Sequence, residues 1–350
     1  MRRIAAFCLA LAISGVLAAE ALVRAAPGPE LRFRLAEREL HCLDADSGDV
    51  LLCADRRVNF AHPTGFEYRV TTNARGERDA YQNDPVPPSA QSAVWLLGDS
   101  IAMGFGNDDA EILAYSLARA LPKYYVRNLG VDSLGACGIR RVFQRALTAT
   151  RASSRSTPET TQAGREEAEL RPRHIIWIFN PSDYTDDVRD QRRQASVLRR
   201  VSFALRFQVT KTLALPDFLR SRFAGSSPAP GGPAPFVAPG EAPGDPEHPT
   251  YVCAREIFAL GRSVARRDGG RFTLLVYPDV DRRTGAPLHH DPLKQPIIDL
   301  AAEFPELRVL DLQPLFEKHR HRPELYLRGD GHPGPGAQDL FHLGVLPILD

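Results

Sequence analysis

Ala93-Val94-Trp95-Leu96-Leu97 is the stretch that most limits what this chain can fold into. It is an apolar run of strand length that stops at Gly98-Asp99-Ser100, and a polar, helix-compatible segment from Asp108 to Leu121 follows. Strand, turn and helix in that order leave a serine at the C-terminal edge of a sheet, where open α/β folds bind ligands. The nearby helix N-terminus favours negative charge beside it. A hydroxyl placed there acts as a nucleophile only if a base and an oxyanion site join it. Without them it is a capping serine in an ordinary βα turn.

The same rhythm repeats downstream. Tyr124 to Leu129, His174 to Phe179, Phe272 to Tyr277 and Leu307 to Asp311 are further apolar runs of strand length. Helical stretches separate them, with Ile139 to Thr148 and Ala337 to Leu349 among the clearest. Near-continuous apolar strands alternating with helices indicate a parallel sheet of about five strands covered on both faces. Polar or glycine-rich residues follow the first three strands, at Ser100, at the Gly130 to Gly135 turn and at Asn180-Pro181-Ser182-Asp183. All of these positions fall on one edge of the sheet.

The chain divides into an N-terminal segment (1–26), an extension (27–91) and a main domain (92–350) with an insertion at about 187–249. The extension is polar and turn-rich, alternates like a half-buried strand at Phe66 to Thr71, and is expected to pack on the main domain. Within the insertion, Asp187 to Phe218 reads as helical, with Val197, Val201, Ala204 and Leu205 on one stripe. That stripe is expected to pack on the domain and leave a solvated basic face, in preference to facing anionic lipid. Gly225 to Pro249 is dense in Pro, Gly, Ala and Ser and is assigned no chemistry.

Leu325 to Gly336 holds the candidate base. In Asp330-Gly331-His332-Pro333 the acid two residues before the histidine can accept from its ring N–H and fix the tautomer, leaving the other nitrogen free to take a serine proton. The competing reading is a surface histidine in an Asx-turn. His289-His290-Asp291, His319 and His321 read as solvent-facing, and no third ligand suggests a metal. No cofactor is expected.

Arg2 and Arg3 precede an uncharged run from Ile4 to Ala19, and Glu20 to Val23 would bring it to about the ~20 residues of a membrane span. Small residues at Ala18, Ala19 and Ala21 also permit signal cleavage. Anchor or signal, the bulk of the chain is expected to be exported, with a membrane partner if the segment stays. Export permits disulfides, and a Cys42–Cys53 bridge would close a short hairpin around Asp-Ala-Asp-Ser-Gly-Asp. Cys137 and Cys253, far apart in sequence, read as buried thiols. Across 350 residues the net charge is only +1 with no long basic run, which argues against a nucleic-acid partner.

Taken together, Gly98-Asp99-Ser100, Asn128-Leu129-Gly130-Val131 and Asp330-Gly331-His332-Pro333 resemble motifs of the SGNH hydrolases, also called the GDSL esterase/lipase superfamily. The resemblance runs from about Val94 to Leu349. Phe66 to Arg78, with Thr72-Asn73 and Gly76, also looks like the stretch before the nucleophile in membrane-anchored bacterial members. It implies a three-layer α/β/α sandwich, flavodoxin-like in build, and a catalytic set of Ser100, His332 and Asp330. Glycine and asparagine donors beside the serine N–H would form the oxyanion hole. The sequence departs from the pattern in three places. Where the family has Gly-x-Asn-Asp, this chain has Phe179-Asn180-Pro181-Ser182-Asp183, so Asn180 and Ser182 are both candidate donors. The second-motif glycine is Gly130 or Gly135, with Ser133 in another alignment slot. The Asp–His gap is two residues rather than three, a spacing also found in relatives that move acetyl groups on exported polysaccharides.

The expected function is an exported serine esterase that hydrolyses a small acyl ester or an acylated carbohydrate, with acetyl as the expected acyl group. O-acyl transfer to an exported or cell-wall polysaccharide shares the acyl-enzyme and is the alternative reaction. A non-catalytic carbohydrate-binding or assembly protein that keeps the fold is the alternative class.

Overall fold

The computed structural model describes residues 2–82, 84, 87, 89–90, 92–156, 171–223, 245–278, 292–322 and 324–349. Its centre is a five-stranded sheet built from β1 (Ser92–Gly98), β2 (Tyr124–Asn128), β3 (Pro172–Ile178), β4 (Arg271–Val276) and β5 (Leu307–Asp311). The strand order is β2-β1-β3-β4-β5 and every pairing is parallel. The first strand of this sheet in sequence, which carries the Gly-Asp-Ser turn, is thus flanked on both sides. The order reverses at that strand, since the chain steps first to β2 and then back across to β3. A crevice at the carboxyl end of such a switch point is the usual ligand position in open α/β sheets.

Two apolar layers cover the sheet. On one face Trp95, Leu97, Ile175, Trp177, Phe272 and Leu274 meet helices Ala136–Ser156 and Pro249–Asp268. On the other, Val94, Leu96, Ile176 and Leu275 meet helices Leu113–Ala120 and Pro335–Leu349. Both indole rings are fully buried, each contributing roughly 3 kcal/mol of apolar burial. The extension joins the first layer: Phe33, Leu40, Val58, Phe60, Tyr68 and Val70 share its core with Met103 and Leu129. It folds as helix Pro29–Leu40 and two antiparallel hairpins, His41–Leu43 with Val50–Leu52 and Arg57–Ala61 with Glu67–Thr71.

Several expectations are corrected. After Ser100 the chain makes only a short helix, Ser100–Met103, ended by Gly104 in the left-handed region; the next helix begins at Leu113, not Asp108. The insertion forms three helices rather than one, Ser182–Gln194, Val197–Thr212 and Leu215–Phe223. Its middle helix turns Val197, Val201 and Leu205 outward, where they are exposed. Cys137 and Cys253 are not thiols but a disulfide joining helix Ala136–Ser156 to helix Pro249–Asp268. A second disulfide links Cys42 and Cys53 across the first hairpin. The stretches around His289-His290-Asp291 and from Gly225 to Gly244 lie outside the described residues.

The N-terminal segment is a helix, Arg2–Ala25. Among the described residues no helix is long and apolar enough to cross a membrane. Glu20 shows why the run does not extend to Val23. Its carboxylate is buried against the protein and accepts the N–H groups of Ala214 (2.7 Å) and Leu215 (2.8 Å) at the start of helix Leu215–Phe223.

Candidate active site

Asp99 shapes the nucleophile turn. One of its carboxylate oxygens accepts the Ile101 N–H at 2.9 Å and caps the short helix that starts at Ser100. Ser100 Oγ then lies 2.9 Å from His332 Nε2. His332 comes from a tight turn closed by the Leu327 N–H donating to the His332 carbonyl at 2.8 Å. Gly331 has φ +92°, a left-handed conformation that glycine adopts freely. The reversal brings Asp330 Oδ1 onto both the His332 Nδ1 and, at 3.2 Å, its backbone N–H. With the Nδ1 proton held by a carboxylate, Nε2 is the acceptor facing the serine. Burial works to lower the His332 pKa, but the hydrogen bond and charge of Asp330 outweigh it and leave it raised. Burial likewise works to raise Asp330, and the His332 bond outweighs it and leaves it lowered. Ser100 and His332, 232 positions apart in the chain, thus form one hydrogen-bonded line with Asp330.

The candidate oxyanion residues divide differently. Gly130 packs so closely on the nucleophile helix that a Cβ there would stand 2.3 Å from the Met103 nitrogen. Its N–H, however, donates to Asn128 Oδ1 at 3.0 Å and is not aimed at substrate. Gly135 faces the Asp187 carboxylate instead. Between them, Ser133 holds φ +61°, a backbone state ordinarily left to glycine, and its N–H has no hydrogen bond among the described residues. The Ser100 N–H, first in its helix, is in the same condition. Asn180 donates to Asp99 Oδ2 (2.6 Å) and to Ser182 Oγ (2.7 Å), while Ser182 donates to the same Asp99 oxygen at 3.0 Å. Both sequence candidates for the third donor therefore sit beside Ser100 and are bound to Asp99. Burial raises the Asp99 pKa against these hydrogen bonds.

Three residues of the extension reach the machinery, and the sequence reading missed them in that role. Arg78 is fully buried and donates to the carbonyls of Met103 (3.0 Å), Gly104 (2.6 Å) and Asn107 (2.7 Å), holding the loop after the nucleophile. His41 Nε2 meets Asp132 Oδ1 at 2.5 Å, one residue before Ser133. Burial works to lower the His41 pKa, but Asp132 and the Glu37 carbonyl outweigh it and raise it to about 9, so the pair is ionic at neutral pH. His62 Nε2 lies 3.7 Å from the second oxygen of Asp330. Its Nδ1 accepts the Thr64 N–H at 3.3 Å and bonds the Thr64 hydroxyl at 2.7 Å, which leaves the ring proton on Nε2 toward Asp330. Burial lowers the His62 pKa in spite of Asp330, so the ring is neutral. A signal for His62 was present: Val58, Phe60 and His62 alternate onto one buried face, and a histidine there needs polar company.

Beyond Asp132 and Ser133 opens a cavity of about 430 Å³, walled also by Glu37, His41, Phe203 and Phe207. Below the sheet edge, Asp183 is buried with no hydrogen bond to either carboxyl oxygen among the described residues; burial pushes its pKa well up and keeps it neutral. No group of three or more His, Cys, Asp or Glu side chains among the described residues is placed to hold a metal ion.

What fold and site define together is an α/β protein with a serine, a histidine and an aspartate aligned at the carboxyl edge of a parallel sheet. No protein-family model and no curated protein matches the chain. Among solved structures, a G-D-S-L-family protein from Desulfitobacterium hafniense DCB-2 is similar at 12% identity and a TM-score of 0.39, covering 73% of this chain and 99% of that one. A member of the lipolytic protein G-D-S-L family from Veillonella parvula DSM 2008 is similar at 11% identity and a TM-score of 0.33, covering 73% and 97%.

Proposed function

We propose that this chain is an exported serine esterase of the SGNH type, acting on acyl esters and foremost on acetylated carbohydrate. The observation that carries the reading is the Ser100–His332–Asp330 line, with its tautomer fixed by Asp330 Oδ1. Ser100 Oγ attacks the ester carbonyl carbon as its proton passes to His332 Nε2. The negative charge that develops on the carbonyl oxygen meets the N–H groups of Ser100 and Ser133, neither of which has an acceptor among the described residues. Collapse breaks the ester C–O bond, and His332 returns the proton to the leaving alcohol. Water then repeats the sequence on the acyl-serine and restores the enzyme. Asn180 supplies a third donor by turning one amide N–H from Ser182 to the oxyanion.

A sugar hydroxyl in place of water would make the same machinery an O-acyltransferase. The cavity at Ser133 is the observation that keeps this second reading, because its lining of carboxylates, arginines and phenylalanine faces suits a polyhydroxylated alcohol. The test is labelling by a serine-directed fluorophosphonate together with p-nitrophenyl acetate turnover. Wild type should take the label and turn over. Ser100→Ala, shown folded by its melting curve, should do neither. Equal labelling of Ser100→Ala would place the nucleophile elsewhere.

A further inference from the structure

Helix Val197–Thr212 contains no acidic residue and carries Arg199, Arg200, Arg206 and Lys211. At 3.6 residues per turn, Val197, Val201, Leu205, Leu198 and Val209 fall within one arc of about 120°. In most surface helices such an arc faces the core. Here it faces out: Val197 is 64% exposed, Leu198 82%, Val201 59% and Leu205 64%, and no residue of the helix is buried. The domain instead receives the opposite side, where Phe203 lies under the Arg193 guanidinium and both Phe203 and Phe207 wall the cavity at Ser133.

Two further observations say what covers the arc. Arg200 and Arg206 border it on either side, and neither has a carboxylate partner among the described residues. An apolar strip edged by unpaired arginines matches acyl chains edged by phosphates. In addition, the N-terminal helix ends against this one, with the Arg24 guanidinium donating to the Thr212 carbonyl at 2.7 Å. That helix exposes Phe7, Leu11, Val16, Leu17 and Leu22, a second apolar surface on an element that touches this one.

We propose that helix 197–212 lies in the interface of a bilayer containing anionic phospholipid. Its valine and leucine arc enters the acyl region, and Arg200 and Arg206 meet the phosphates. The cavity at the oxyanion turn then lies directly behind a membrane-seated helix, within reach of substrate held at that surface. The proposal is independent of the esterase reading, since its deciding readout is quenching of an added indole by the bilayer.

The experiment uses the full chain carrying Leu198→Trp and vesicles of brominated phosphatidylcholine with about one third phosphatidylglycerol. Trp95 and Trp177 are fully buried and stay out of reach of the bromines. The added indole should lose about half or more of its emission on these vesicles. Arg200→Gln with Arg206→Gln should weaken partitioning roughly 30-fold, the factor given by about 1 kcal/mol per basic side chain. Val201→Glu should abolish the quenching while melting temperature and p-nitrophenyl acetate turnover stay unchanged. Vesicle binding with an unquenched indole would mean that the N-terminal helix alone docks, and would overturn the proposal. So would a dimer seen without vesicles that Val201→Glu dissociates, because a second copy would then cover the arc.

Discussion

In the proposed mechanism Ser100 attacks only while His332 Nε2 is unprotonated, and that depends on what faces Asp330. Asp330→Asn should lower turnover by about four orders of magnitude, because an amide stabilises neither the tautomer nor the imidazolium. Steady-state kinetics on p-nitrophenyl acetate would show it, with His332→Ala at least as severe. The second oxygen of Asp330 faces the neutral His62 ring at 3.7 Å, too long for a hydrogen bond but close enough for its N–H dipole to act. His62→Ala should lower kcat roughly fivefold with little change in KM, because Asp330 loses the ring packed against it and is held less well in line with His332. It should also move the acid limb of kcat/KM to higher pH, since a carboxylate relieved of one N–H holds the His332 proton more strongly. His62→Gln, whose amide nitrogen reaches the position of Nε2, should restore most of the loss. A merely structural role would leave the acid limb where it was.

At the scale of elements, legibility follows the range of the interactions. The five strands could be read because each is a short apolar run between helical stretches; four of them are buried, while Leu307–Asp311 at the sheet edge has no buried residue. The Gly98-Asp99-Ser100 turn and the histidine turn could be read because glycine and acid neighbours mark them locally. Cys137 and Cys253 could not be paired by inspection, as 116 positions separate them. Nor does anything local say that His41 meets Asp132, 91 positions on. The direction of helix 197–212 was misread for a related reason: periodicity reveals that an apolar stripe exists, not which side meets the domain. The His41–Asp132 pair is itself testable through pH. His41 is protonated in the folded chain up to about pH 9 and in the unfolded chain only up to about its ordinary 6.5. The pair's contribution is therefore complete below about pH 6.5 and is lost as pH rises through about 9. Its size is on the order of 3 kcal/mol. Urea denaturation should find wild type more stable than His41→Gln near pH 6, with the gap closing near pH 10.

For the whole molecule, the arrangement of crosslinks bears on where the chain lives. One disulfide closes the hairpin that leads from His41, and the other ties together the two helices on one face of the sheet. In the chain-entropy picture a bridge spanning about a hundred residues contributes about 4–5 kcal/mol, a large part of an ordinary domain's net stability. A fold that relies on such a bridge suits an oxidising compartment. The charge pattern points the same way, with Arg2 and Arg3 ahead of an uncharged run and the main domain after it. Glu20 adds a constraint on processing. Its carboxylate caps helix Leu215–Phe223, so cleavage beyond it would leave the Ala214 and Leu215 N–H groups without that acceptor. Export is therefore expected to leave Glu20 in place. Alkaline phosphatase fused after Asp350 should be active, because that reporter folds only after export. N-terminal sequencing of the exported protein should begin at or before Glu20. A fusion inactive in exported form would refute export, and a mature chain starting beyond Glu20 would refute the retained cap.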